Sequence, residues 1–200
     1  APNPADGLRG VLDATDGASL HRAGTEAELF TKLVQLVREE DPDIFMAWEM
    51  QRDALGYLLD RAKALVDAHQ LTFDLARALS RTPWGAQNRL HKADEWGDKE
   101  HSGFWLPGRH VLNMWRVTRE QAKLQMYTLE HCSEKLLGVK TPRHSAGVLA
   151  DWWRSPLLRH KAARHVLRRA RVSLAVSDHL DVVGRTAELA ALFGMDFFSV

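Results

Sequence analysis

Cysteine is nearly absent: Cys132 is the single thiol in 200 residues. One thiol can build neither an internal disulfide nor a cysteine-ligated zinc site, and a reducing compartment is the simplest setting for it. Long apolar runs are missing too. No segment approaches the roughly 20 residues that a membrane-spanning helix needs, so no membrane partner is expected. A charge excess is also lacking, with 27 Lys and Arg set against 26 Asp and Glu. Bulk charge therefore argues for no particular ligand. The opening Ala1-Pro-Asn-Pro has no initiator Met and shows no basic-then-apolar targeting pattern. The chain is expected to be an internal piece of a longer protein. What is present, a 45% hydrophobic share, suits one soluble domain with a buried core.

Local patterns divide that domain. Residues 1–24 mix Gly, Asp, Pro and Ala and read as a loose lead-in or edge segment. Thr25-Glu-Ala-Glu28 is a capping-box signature, opening a helix striped by Leu29, Leu33, Leu36 and Val37. Asp41-Pro42 ends it, because the residue before proline disfavours helix. Ile44 to Trp48 reads as a buried strand, followed by a turn and a helix to about His69, then a shorter helix near 73–80. From Arg81 to Gly103 the chain is polar and aperiodic, a long loop. Phe104 to Trp115 reads as a strand passing through a Gly bend, and Tyr127 to Leu137 as a helix stopped by Gly138. Helical patterns near 145–153, 157–179 and 182–193 follow, separated by Pro156, a turn at Ser177-Asp178 and Gly194. Strand and helix alternate first and helices dominate later, so the fold class is α/β, with a small mixed central sheet and a helix-rich C-terminal half.

The run Asp41 to Ala62 carries the most specific signal. Laid from Ala47 to Leu58, it resembles a motif of the 3′–5′ exonuclease domain of family-B DNA polymerases, roughly Gly-Tyr-Asn-Ile-x-Asn-Phe-Asp-x-Pro-Tyr-Leu. Glu49 stands at the asparagine and Ala54 at the metal-binding aspartate. Gly108-Arg-His-Val-Leu-Asn-Met-Trp-Arg116 resembles the family's Gly-Arg-x-x-x-Asp-Leu, with Asn113 at the aspartate. Tyr127 to Gly138 is similar to its following helix. His165-Val-Leu-Arg-Arg169 falls where Tyr-x-x-x-Asp belongs, with His165 for the tyrosine and Arg169 for the aspartate. Gly184 to Met195 is similar to the segment leading toward the polymerase core. The wording of 56–62, 108–116 and 184–190 is closest to the translesion branch of that family. The Asp-x-Glu of the first exonuclease motif is not recognisable; Asp98-Lys-Glu100 lies too late in the order.

The resemblance covers roughly 26–200 and implies a ribonuclease-H-like fold over 25–200. It implies a DNA-directed DNA polymerase, a nucleotidyltransferase, that extends primers past damage in the nucleus. Palm, fingers and thumb lie outside the chain. Expected partners are primer-template DNA, the remaining polymerase domains and accessory subunits. Mg²⁺ is expected in the parent polymerase, bound outside this chain, with no cofactor here. The exonuclease chemistry itself needs paired divalent ions held by carboxylates. Ala54 offers no ligand, and the guanidinium of Arg169 stays charged. Two unit charges at 4 Å interact by about 1 kcal/mol in water and about 4 kcal/mol at an effective dielectric near 20, and a dication doubles that. No catalytic residue is therefore expected.

Arg159, Lys161, Arg164, Arg168 and Arg171 share a helix with Arg169. Ala162, Val166, Ala170 and Leu174 are its expected buried stripe. Such cations are commonly a solvated face; alternatively they contact phosphates of template or primer. Arg169 is expected to pair with Glu49 or Asp53. Trp84, Trp96 and Trp105 alternate with Arg89, Lys92 and Lys99 in a pattern able to stack bases or to pin a loop. His91, Asp94, Glu95 and His101 match no standard zinc spacing. Cys132 reads as a small core residue, and Trp152 and Trp153 as packing at a helix end. Two other readings stay open: a live exonuclease using Asp53 one position early, and a helical protein-interaction module lacking the Ile44–Trp48 strand.

Overall fold

The computed structural model describes residues 18–19, 21–82 and 106–197. The first-segment reading of 1–24 falls largely outside these residues. So do most of the polar loop with its tryptophans, the His91–His101 group and Asp98-Lys-Glu100. The chain divides into two compact units, one spanning 21–116 and the other described over 18–19 and 117–197.

In the first unit, α1 (Glu26–Glu40) starts on Thr25, whose side chain accepts from the Glu28 amide at 3.2 Å. Glu28 reaches back to the Gly24 amide at 2.7 Å, one residue before the cap. Phe30, Val34 and Val37 turn inward, the i, i+4, i+7 spacing of one helix face, so the expected stripe holds only at Val37: Leu29 is exposed and Leu33 and Leu36 are half-buried. At Asp41 the helix ends as expected before Pro42, and the chain takes a left-handed conformation, φ 41° and ψ 55°. Strand β1 (Ile44–Ala47) follows, then a turn, α2 (Leu55–Asp67) and the short α3 (Leu75–Leu79). Strand β2 (His110–Asn113) lies parallel to β1, with Ile44 opposite His110 and Ala47 opposite Asn113. Among the described residues the sheet is this parallel pair, with one antiparallel bridge from Leu106 to Arg109. The expected strand to Trp115 stops early. At Met114 the chain enters α4 (Met114–Gln121), and the Trp115 amide turns back to the Trp48 carbonyl at 2.9 Å. Phe30, Met50, Leu65, Leu75, Leu79 and Leu106 are buried in the core of this unit.

Beyond α4, the regular elements among the second unit's described residues are all helices: α5 (Leu129–Leu137), α6 (Ala146–Arg154), α7 (Arg159–His179) and α8 (Val182–Phe193). Thr128 and Ser145 cap α5 and α6 with their hydroxyls, and Gly138 ends α5 at φ 68°, a conformation glycine adopts without a Cβ clash. Leu129 and Cys132 of α5 are buried, as are Ala162, Val172 and Val176 of α7. Cys132 is thus the core residue expected, and burial, followed by the Glu130 charge, pushes its thiol pKa up to about 11. α7 runs on through Ser177, which faces inward; the turn falls instead at Leu180 and Asp181.

Candidate functional site

The motif positions of the first unit gather at the C-terminal ends of the two parallel strands, where open α/β sheets usually place their ligands. Glu49 lies just past β1 and Asn113 closes β2. The Asn113 Nδ2 donates to Glu49 Oε1 at 3.3 Å. Asn113 is almost fully buried, and its Oδ1 has no hydrogen-bond partner among the described residues. The family wording puts an amide at the first of these positions and a carboxylate at the second. Here the two have changed places and still form a hydrogen-bonded pair.

Ala54 is half-buried and stands as the N-cap of α2, with no side-chain cap. A carboxylate there could cap the helix; the methyl cannot, and it packs against the core of this unit. Asp53, the ligand of the rival live-exonuclease reading, lies in the turn before α2 and is exposed. The turn is held tightly. The Gly56 amide donates to the Met50 carbonyl at 3.0 Å, and a Cβ on Gly56 would sit 2.1 Å from the Gln51 carbonyl oxygen. Only glycine admits that approach. Arg116 Nη2 reaches Gln51 Oε1 at 3.4 Å.

Arg109 and Arg81 form a second cluster, one that the sequence reading missed. Arg109 is 5% exposed. Its Nε donates to the Leu79 carbonyl at 2.7 Å, Nη1 donates to the Pro42 carbonyl, and Nη2 pairs with Asp41 at 2.8 Å. Arg81 pairs with Asp41 at 2.9 Å and Asp43 at 2.6 Å and donates to the Asp41 carbonyl at 2.8 Å. Hydrogen bonding from Arg81, then from Arg109, holds the Asp41 carboxyl below its ordinary range. The two guanidiniums tie the left-handed corner at Asp41 to the end of α3 and the start of β2. Gly108, at φ 79°, lets the chain pass Arg81, whose Cβ would lie 2.8 Å from a Cβ at that position. The Gly108-Arg109 step is thus a structural staple. The signal was in the quoted motif, but its glycine and arginine gave no hint of burial.

In the second unit His165 and Arg169 sit on α7. Arg169 pairs with Glu130 of α5, where the sequence pointed to Glu49 or Asp53. His165 is buried, its ring edge-on to His144 at 5.0 Å, and His144 lies 4.6 Å from Trp152. Burial first, then the charges of His144 and Arg169, holds its pKa below the usual imidazole value. The expected buried stripe of α7 is largely overturned. Ala162 is buried, but Val166 is 64% and Leu174 51% exposed, and Ala170 is exposed. The inward face is instead Ala162, His165, Val172, Ser173 and Val176. The helix is turned so that the old motif positions face the core.

That rotation divides the five cations. Arg159 stands over the Trp153 ring at 5.5 Å and donates to the Trp153 carbonyl at 2.9 Å. Lys161 stands 6.0 Å over Trp152. Trp153 is 57% exposed, so it is not packed away as expected. Arg164, Arg168 and Arg171 line a groove further along α7. Among the described residues, no group of three or more His, Cys, Asp or Glu is placed to hold a metal ion.

The chain belongs to the exonuclease domain of DNA polymerase family B, whose model matches residues 12–132. Its relatives then specify the branch. It is 36% identical over 95% of its length to the DNA polymerase zeta catalytic subunit of Homo sapiens, covering 6% of that protein. It is 32% identical over 94% of its length to the same subunit of Arabidopsis thaliana, covering 11% of it. The subunit of Saccharomyces cerevisiae matches at 32% over 88% of this chain and 11% of the relative. The domain is therefore of the zeta type, and it spans roughly a tenth or less of these relatives. The presence of β1, together with family membership, removes the unrelated helical module. No described helix is long and apolar enough to cross a membrane.

Proposed function

We propose that this domain is a degenerate, non-catalytic exonuclease domain with an architectural role in a polymerase that extends primers past damaged positions. One observation carries the reading: a methyl at Ala54 and a paired cation at Arg169 occupy positions that need acidic oxygens. Paired Mg²⁺ ions require hard oxygen donors close together, and these residues do not fit them. The Mg²⁺ of the parent polymerase belongs to its palm, outside this chain. Loss of editing suits an enzyme that must retain imperfect primer ends, because an active editor would remove what it extends.

On this reading the partners are primer-template DNA, the remaining polymerase domains and accessory subunits, in the nucleus. Contact with an unpaired strand belongs to Arg159 and Lys161, where cations lie over Trp153 and Trp152. An exposed indole beside a guanidinium suits stacking of bases and pairing with phosphates. The test is an end-labelled single strand incubated with purified protein in Mg²⁺ or Mn²⁺. The strand is expected to stay intact, whereas metal-dependent shortening would revive the live-exonuclease reading.

A further inference from the structure

Arg164, Leu167, Arg168 and Arg171 follow i, i+3, i+4, i+7 along α7 and so share one side of it. They line a groove of about 440 Å³. Its other surface is apolar, with Leu137 at the end of α5, Val139 just beyond and Val172 of α7. The three guanidiniums are spread over about 10 Å of helix rise.

A ligand for this surface must satisfy two demands at once. A small inorganic anion would meet the arginines and leave the aliphatic wall in water. A purely apolar ligand would cover the wall and strip water from the guanidiniums without replacing it. Among the described residues no aromatic side chain lines the groove, whereas unpaired bases are bound by stacking on such side chains. An amphipathic helix carrying leucines on one stripe and Asp or Glu beside it meets both demands, because carboxylates pair with arginine at helical spacing while the leucines cover the wall.

We infer that this groove docks an acidic, leucine-bearing helical segment of a protein partner. The inference rests on charge complementarity and the apolar wall, and is independent of whether the exonuclease positions are catalytic.

The experiment is fluorescence anisotropy on the purified protein with a labelled helical peptide of about three turns, roughly 11 residues. It carries Leu at i and i+4 with Glu on either side. A scrambled peptide of the same composition and a thymidine oligonucleotide serve as comparison probes. Arg168→Glu with Arg171→Glu is expected to weaken peptide binding about tenfold or more. Val139→Asp, at an exposed position of the wall, is expected to weaken it about fivefold. The scrambled peptide binds more weakly than the ordered one, and Arg154→Glu on α6 changes nothing. Circular dichroism checks the fold, and the Val139 variant decides if the arginine pair proves unfolded. Three results would overturn the inference: no binding of the ordered peptide, binding indifferent to both groove variants, or tighter binding of the oligonucleotide through the same arginines.

Discussion

The two units differ in what stands at the positions where the family resemblance puts carboxylates. In the unit spanning 21–116 the backbone of the motif stands intact around a small side chain: Ala54 sits at the N-cap of α2 without capping it, and the turn before it depends on Gly56. In the helical unit the corresponding positions carry partnered side chains. Arg169 has an ion-pair partner in Glu130, and His165 is built into the inward face of α7. Removal of a ligand leaves a scaffold that substitution at one residue could restore. Replacement by a cation with its own partner commits the neighbouring helix as well. The contrast teaches that, on the proposed reading, the second unit would be the harder of the two to return to metal binding.

The largest expected effect tests how far the first unit depends on its scaffold. Arg109→Ala would leave the Leu79 and Pro42 carbonyls and Asp41 without their buried donor. Breaking a buried charge network of this kind costs about 3–5 kcal/mol, read as a lower urea midpoint. Gly56→Ala forces the turn away from the Gln51 carbonyl and is expected to cost about 3 kcal/mol by the same measurement. Loss of under about 1 kcal/mol in either variant would mean that the turn is not held as described.

A double-mutant cycle sharpens the exchange of amide and carboxylate at the strand ends. Asn113→Asp places two carboxylates together where Asn113 now donates to Glu49, an expected loss of about 2 kcal/mol. Adding Glu49→Asn should recover most of it, because the pair is then reversed, not broken. Failure to recover would show that the two sites are independent. In the second unit, Glu130→Gln removes the partner of the half-buried Arg169, with an expected cost of about 1–2 kcal/mol.

The smallest effect is a pH dependence. His165 is held below its ordinary value of 6.5 in the folded chain, first by burial and then by His144 and Arg169. It stays neutral while an unfolded imidazole takes up a proton. The stability tied to this group is full above the unfolded value and declines as pH falls below it through the folded value. Urea midpoints at about pH 7.5 and about pH 5.5 should therefore differ more for the natural chain than for His165→Gln. Equal differences would assign the pH response to other histidines.

Much of the first unit was legible in the sequence because its signals are local. The Thr25 cap, a strand opening at Ile44 and a helix after the turn each follow from spacing and capping, and all three form, although Glu28 accepts from the Gly24 amide and the strand is half-buried and ends at Ala47, before Trp48. The α/β character was legible too. The end of β2 was not, because Met114 and Trp115 fit strand or helix equally well until the Trp48 carbonyl claims an amide. The role of Arg109 was hidden because its partners are carbonyls distant in sequence, and carbonyls leave no mark on composition. The face of α7 was misread for a related reason. Small and polar residues such as Ser173 and Ser177 are buried there while Val166 and Leu174 are exposed, and hydrophobic periodicity points the other way. The motif order placed His165 and Arg169 on α7, but their partners Glu130 and His144 come from elements that no sequence pattern linked to them.

Calorimetric titration of the purified protein with Mn²⁺ tests the central claim most directly, since it asks whether paired cations are held at all. The expected result is no site tighter than about 1 mM. Two bound ions per chain at micromolar affinity, lost on Glu49→Gln, would contradict it.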